Sequence, residues 1–508
     1  MHIVTGREMN EIDRHAMADV GLAGPMLMEN AGRAVANKLI EWLQPKQRIA
    51  VMVGTGNNGG DGLVIARVLL DRGYDVDVWL VPPRKKVKGD AKKHLEIFEA
   101  AGYQVNTYPQ NEGAFSGQLG NYAVVVDALL GTGVRGEPRS PYKEVITQIN
   151  ASQAFVVSVD LPSGVPADGA EVGGTAVKAD RTVTLQCPKT GAVTYPAASY
   201  YGVWETVDIG IPPKVIDQTA PSRRFWQAED VEATFPKRRA SSHKGSHGKG
   251  LLVAGSQAMT GAAVMSAKAA LRGGAGLLTA AIPDAIHSVV AAQVTEATYV
   301  LCPSENGAFS GEFSVDPRFD GVAVGPGIGR EAGAARLVET LLRQCLTPLV
   351  IDADALFHLK SLKPLLKERR APTVLTPHPG EMARLIGGSA GDIQGDRFGT
   401  SREFAVAYGV CLVLKGPYTI VTMPDGKQYV NPTGNASLAK GGTGDVLTGL
   451  ILAFIMQHFD VQSAVSNAVY VHGKAADFLV KEDHSLVDVL AADVIEAIPR
   501  TMRGILSM

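Results

Sequence analysis

The sequence predicts an α/β protein built from two doubly wound domains. Short apolar, β-rich runs alternate with stretches of helical period over most of the 508 residues. Turns rich in glycine and aspartate follow the ends of those runs, and the alternation lapses once, past residue 211, before restarting. Ligands in such sheets bind at the carboxyl ends of strands, so function is sought in those turns.

Residues 8–43 read as helices, because Met9, Ile12 and Met17, then Ala31, Ala34, Val35, Leu39 and Leu43 recur near helical period. A strand at 48–53 precedes the glycine turn 54–62 and a helix to Gly73. Further strands fall at 75–81, at 122–126 before Asp127, and at 154–159 before Asp160. Prolines accumulate from Ile211 to Arg224, which marks a linker. The domains are therefore placed at 1–215 and 225–508, with residues 216–224 joining them. In the second half, strands fall at 251–254, 321–324, 348–351, 373–375 and 411–414. The halves share this grammar but not a sequence, so they are two domains and not a repeat. Segment 236–249 is basic and glycine-rich, and reads either as a lid over phosphates or as a solvated loop.

Hydrophobic residues at 45% and charged residues at 20% describe an ordinary globular chain. A net charge of −2 without a one-sign tail argues against nucleic acid as a partner. No apolar run reaches the roughly 18 residues that span a bilayer. The first residues, Met1 to Glu8, carry charges where a signal peptide needs an apolar core, so no membrane and a cytoplasmic location are expected. Cys187, Cys302, Cys345 and Cys411 lie far apart without ligand spacing and read as reduced core thiols.

Gly441-Gly442-Thr443-Gly444-Asp445 combines two opposed electrostatic features. The glycines let backbone amides turn toward one point, and the apolar run 446–456 reads as a buried helix whose positive end faces it. Asp445 sets a carboxylate beside that anion site, an arrangement suited to phosphoryl transfer with the aspartate taking the acceptor's proton. A plain helix cap is the alternative, though three glycines exceed what a cap needs. Lys415-Gly416 ends a strand where it can meet a phosphate, and Asn435 to Lys440 leads into the loop, where it can wrap an adenosine. Gly325-Pro-Gly-Ile-Gly329 offers another turn of amides. His378 lies between two prolines, positioned by φ restriction and not by packing. The small residues of 256–276 read as packing more readily than as binding.

In the first half, Gly54-Thr-Gly-Asn-Asn-Gly59 satisfies a dinucleotide pattern, yet the second strand ends Trp79-Leu-Val-Pro-Pro83 without the acid that binds a ribose. A dehydrogenase loses most of its support there. Asn58, Asp127, Asp160 and Ser163 at neighbouring strand ends instead suit a hard cation, or each simply caps a turn.

Asn57 to Gly62, Asp127 to Gly133 and Val159 to Gly164 resemble the signature segments of the NAD(P)H-hydrate epimerase family. The second half resembles the ribokinase-like NAD(P)H-hydrate dehydratase family, and the order is that of the bifunctional repair enzymes. The resemblance implies a Rossmann-like first sheet and a ribokinase-like second one. It implies a K⁺ site at Asn58, Asp127 and Ser163, and hydrate binding by Asn57, Asn58, Gly59, Gly60 and Asp61. Gly131, Thr132, Gly133, Val134, Arg135, Gly136, Glu137 and Asp160 complete that implied site, with Asp160 as the catalytic carboxylate. In the second half it implies ADP or ATP, with Mg²⁺, on Lys415, Gly416, Pro417, Tyr418 and Thr419 and on Asn435, Ala436, Ser437, Leu438, Ala439, Lys440, Gly441, Gly442, Thr443 and Gly444. The hydrate would meet Ala262, Gly327, His378 and the catalytic Asp445. The expected partners are hydrated NADH or NADPH and an adenine nucleotide, and a homo-oligomer is expected. A small-molecule kinase with a regulatory front domain, and a non-catalytic nucleotide-binding front domain, are the competing readings.

Overall fold

The computed structural model describes residues 1–508 apart from 45, 109–111, 134–135, 170, 221, 312, 459 and 507–508. Val134 and Arg135, expected to hold nucleotide, thus lie outside the described residues. The chain divides into two compact units, Met1–Arg223 and Arg224–Met508.

The first unit holds seven strands: β1 (Arg48–Val53), β2 (Asp75–Leu80), β3 (Val105–Thr107), β4 (Val124–Ala128), β5 (Phe155–Val159), β6 (Arg181–Leu185) and β7 (Val203–Val207). They lie in the order β3-β2-β1-β4-β5-β6-β7, every neighbouring pair parallel. Helices cover both faces, which is why β1 and β4 are apolar and buried along nearly their whole length. The order reverses between β1 and β4, so the crevice for a ligand opens at Gly54 and Asp127. Asp127 lies within β4 and does not follow it. The segment expected as a linker carries structure: Pro213–Thr219 is a helix that buries Val215 and Ile216 in the first core.

The strands from Arg223 onward are β8 (Arg223–Phe225), β9 (Lys249–Val253), β10 (Leu277–Pro283), β11 (Thr298–Cys302), β12 (Ser304–Glu305), β13 (Ala308–Phe309), β14 (Gly321–Val324), β15 (Leu349–Ile351), β16 (Thr373–Leu375), β17 (Cys411–Leu414), β18 (Ile420–Thr422) and β19 (Gln428–Val430). β12 and β13 form a separate hairpin; the other ten make one sheet ordered β11-β10-β9-β14-β15-β16-β17-β18-β19-β8. The run from β11 to β17 is parallel, as a doubly wound sheet requires, and β18 and β19 extend it as antiparallel strands.

The apolar helix Thr443–Gln457 runs through the second core, buried from Val446 to Met456. It packs on the helix Thr260–Arg272 so closely that a Cβ on Gly449 would lie 2.1 Å from the Ser266 carbonyl. The small residues of that region serve packing, as read. The four cysteines are buried free thiols, also as read. Among the described residues no helix is long and apolar enough to cross a membrane.

Candidate active sites

The glycine turn after β1 opens the helix Asn57–Asp71, and this brings Asn57, Asn58 and Asp61 to a cavity of about 580 Å³. Gly131, Thr132, Gly133 and Asp160 line the same cavity. Gly59 and Gly60 are buried in the helix instead, where packing demands them: added Cβ atoms would lie 2.2 Å from the Gly54 carbonyl and from the Met28 sulfur. Gly136 lines an adjoining hollow of about 740 Å³ that shares Asn10, Thr132 and Gly133 with the first. Glu137 is paired with Lys143 at 2.8 Å.

Asp127 is fully buried, and burial pushes its carboxyl up despite the donors around it. Oδ2 accepts from Ser158 Oγ and Ser163 N at 2.8 Å each, while Oδ1 accepts from Ser163 Oγ at 2.5 Å and Leu129 N at 3.3 Å. These bonds fill its lone pairs, so Asp127 first of all fixes Ser163. Asn58 Nδ2 donates to Leu130 O at 3.0 Å, and its buried Oδ1 has no partner. A buried amide oxygen without a partner, on a residue that lines a cavity, is a ligand position for a hard cation.

Asp160 stands at φ +67°, left-handed backbone that costs a non-glycine residue on the order of 1–3 kcal/mol. Its Oδ1 accepts from Leu185 N at 3.0 Å and from the ammonium of Lys189, a side chain only 1% exposed. Lys189 Nζ also donates to Leu185 O at 3.2 Å. Asp13 and Asp61 line the cavity beside this pair. Burial raises Asp61 well above the usual carboxylate range, with Asp160 and Asp13 adding repulsion. Lys189 and Asp13 escaped the sequence reading. The trace of Lys189 is Lys189-Thr-Gly191 just beyond β6, a strand whose alternating threonines masked it.

In the second unit, Gly442 caps the helix Thr443–Gln457 at φ +89°, a conformation that only glycine adopts without strain. Val446 N donates to Gly442 O at 3.1 Å, which leaves the amides ahead of it outside the helical ladder. Lys415 Nζ lies 3.6 Å from where a Gly444 Cβ would stand, so an ammonium and the helix's positive end share one point. Lys415 bonds Asp352 Oδ1 at 2.8 Å, lies 3.8 Å from Glu381, and Asp352 Oδ2 accepts from Thr448 Oγ1 at 2.6 Å. Burial disfavours both charges, yet their pairing prevails and holds Asp352 below and Lys415 above its ordinary value.

No described residue donates a hydrogen bond to Asp445. Burial, then repulsion from Asp352, pushes its carboxyl up to about 7, with Lys415 opposing. Gly327 stands at φ +64°, and a Cβ there would meet Ala262 at 3.0 Å, which brings these two expected residues together. His378 is held by bonding and not only by its prolines: Nδ1 accepts from Gly380 N at 3.0 Å and Glu381 N at 3.3 Å, capping the next helix. That use of Nδ1 places the proton of a neutral ring on Nε2.

Of the nucleotide segments, Gly416 and Pro417 are exposed beside Lys415, Tyr418 takes φ +53°, and Thr419 Oγ1 donates to Gly416 O at 3.0 Å. Asn435 caps the turn Ala436–Leu438 and donates to Asp477 at 3.0 Å, Ser437 Oγ is buried without a partner, and Lys440 reaches Val487 O at 2.7 Å. The basic segment 236–249 does not cover this site. Pro236, Lys237, Arg239 and Ser246 share a cavity with Gln457 and His458, at the far end of a 15-residue helix, about 22 Å from the glycine loop.

Two doubly wound domains, each with a lysine–carboxylate pair at its strand ends and a second acid beside that pair, define a two-site enzyme of proton and phosphoryl chemistry. A family described as NAD(P)H-hydrate dehydratase matches residues 250–500, and one described as YjeF-related protein N-terminus matches 24–191. The bifunctional NAD(P)H-hydrate repair enzyme of Moorella thermoacetica is 38% identical, over 99% of this chain and 97% of its own length. That of Thermofilum pendens is 36% identical over the same shares. A solved structure of the ADP/ATP-dependent NAD(P)H-hydrate dehydratase of Bacillus subtilis, co-crystallised with ATP/Mg²⁺, shares 36% identity. It covers 56% of this chain and 98% of its own, with a TM-score of 0.49. The chain belongs to the bifunctional NAD(P)H-hydrate repair enzyme family.

Proposed function

We propose that the first domain interconverts the R and S hydrates of NADH and NADPH, and that the second dehydrates the S hydrate with ADP or ATP. The observation that carries this reading is Asp445, an unpartnered acid at the mouth of an amide loop that also faces Lys415. Such an acid takes the proton of the hydrate's hydroxyl as the loop amides and Lys415 hold the transferring phosphoryl group. Phosphate then leaves with the C–O electron pair as the ring nitrogen's lone pair forms a C=N⁺ bond, and loss of the C5 proton to water restores the dihydronicotinamide. Ala262, Gly327 and the Nε2–H of His378 would face the hydrate. Residues 415–419 and 435–444 would hold the nucleotide, whose adenosine the orphaned Ser437 hydroxyl suits. Mg²⁺ would arrive with the phosphates and neutralise them; among the described residues no group of three or more His, Cys, Asp or Glu stands ready to hold a metal.

In the first domain, Asn58 Oδ1 and Ser163 Oγ fit K⁺, with Asp127 behind them supplying charge and fixing Ser163. The ion would supply positive charge beside the substrate. Asp160 would face the ring carbon, where C–O opening leaves an iminium-like cation for a carboxylate to stabilise.

Mixed R and S hydrates supplied with ADP or ATP should regain the absorbance of the reduced cofactor completely and release free phosphate. A stable phosphorylated product would favour the small-molecule kinase instead. Asp160→Ala should leave the S hydrate consumed and the R hydrate disappearing only at its spontaneous rate. If both still vanish as before, the first domain is not the epimerase.

A further inference from the structure

Inverting a carbinol carbon requires a proton for the departing oxygen and a base for the arriving one, on opposite faces of the ring. Asp160 is a single group, and its Oδ1 already accepts from Lys189 Nζ and Leu185 N. Asp13 lies on a separate element, the helix Gly6–Ala18, and lines the same cavity of about 580 Å³. It is half-buried, and among the described residues nothing donates a hydrogen bond to its carboxyl. Asn58, which lines the same cavity, keeps a buried Oδ1 without a partner, an independent sign that a ligand completes the site. Five groups act on Asp13 or share its cavity wall: Asp61 on the helix Asn57–Asp71, Asp90 on the helix Gly89–Ala100, Asp160 after β5, and Cys187 and Lys189 after β6.

We propose that Asp13 is the second proton-transfer group of the epimerase, acting on the C6 oxygen of the hydrate, with Lys189 as the positioning residue for Asp160. This rests on the reading of the first domain as an epimerase. The Asp13 carboxyl gives its proton to the C6 hydroxyl. The C6–O bond breaks, its electron pair leaves with water, and the ring nitrogen's lone pair forms the C=N⁺ bond. Water adds to C6 from the other face, Asp160 takes the proton it sheds, and that proton returns to Asp13 through the cavity. No atom or electron is gained or lost over the cycle. Burial supports the assignment by pushing Asp13 up to about 6, with attraction to Lys189 lowering it and repulsion from Asp160 raising it. An acid poised near the working pH transfers protons best.

The test follows exchange between the two hydrates without nucleotide, so that dehydration is silent, from pH 5 to 8 in the full chain. Asp13→Asn should lower kcat about 10²-fold or more, keep KM within about threefold, and abolish the fall in rate above pH of about 6. Asp13→Glu should restore most of the rate together with that descending limb, which a misfolded domain cannot do. Exchange by Asp13→Asn within twofold of wild type, an unchanged pH profile, or a loss that Asp13→Glu does not repair overturns the assignment of Asp13. Wild-type exchange no faster than in buffer overturns the epimerase reading, and this proposal with it.

Discussion

The two domains carry the same electrostatic device and use it on different partners. Each buries a lysine against an aspartate, Lys189 with Asp160 and Lys415 with Asp352, and each sets a second acid beside the pair without a protein partner. Those second acids, Asp13 and Asp445, are both pushed up, to about 6 and about 7. The difference lies in what the pair faces. In the second domain Lys415 shares its point with glycine-loop amides at a helix end, so an anion is welcome there. In the first domain the strained Asp160 shares its cavity with two further carboxylates, Asp13 and Asp61, so a cation is welcome. In the function proposed above, one device serves phosphoryl transfer or carbon–oxygen opening according to its surroundings.

The comparison breaks most visibly at Asp445. Asp445→Asn should slow dehydration by about 10²–10⁴-fold while calorimetry finds ADP affinity little changed. Retained turnover would leave the second domain without its base. Asp352→Ala should act on stability: it takes from the buried Lys415 ammonium its hydrogen-bonded carboxylate and leaves Glu381, at 3.8 Å, and Asp445 as the acids near it, at a cost of about 3–5 kcal/mol in denaturant unfolding of that domain. A midpoint unmoved by that substitution would mean the pair holds nothing together.

Acid dependence sharpens the contrast. A base at about 7 must be ionised to work, so dehydration should rise roughly tenfold from pH 6 to pH 8. Epimerisation, limited by the protonated form of Asp13, should fall over the same range. Parallel profiles would erase the distinction between base and acid. The smallest effect concerns folding. Asp445 has its pKa raised from 3.8, so its contribution to stability is complete below pH 3.8 and is lost as pH rises through about 7. Asp445→Asn should therefore melt above wild type at pH 8 and converge with it near pH 4. Equal melting temperatures at pH 8 would mean that ionising Asp445 costs the fold nothing.

Several parts of the site were legible because local chemistry fixes them. Gly441 to Asp445 announced an anion loop through its glycines and the apolar helix behind it, and the helix Thr443–Gln457 stands where that run lies. Asn58, Asp127 and Ser163 were readable as neighbours at strand ends, since strands that alternate with helices align their carboxyl ends. The lid reading of 236–249 failed because charge shows that a loop is polar, not which end of a helix it attends.

The sequence by itself determined two doubly wound domains, their parallel strands and the turns where chemistry gathers, because period and turn chemistry act over a few residues. Only the tertiary structure decided that Lys189 meets Asp160 across 29 positions and Lys415 meets Asp352 across 63. It also decided that Asp13 and Asp445 stand beside those pairs, with no hydrogen-bond donor to either among the described residues. Ionisation depends on burial and on charges a few ångströms away, and spacing along the chain does not carry that distance.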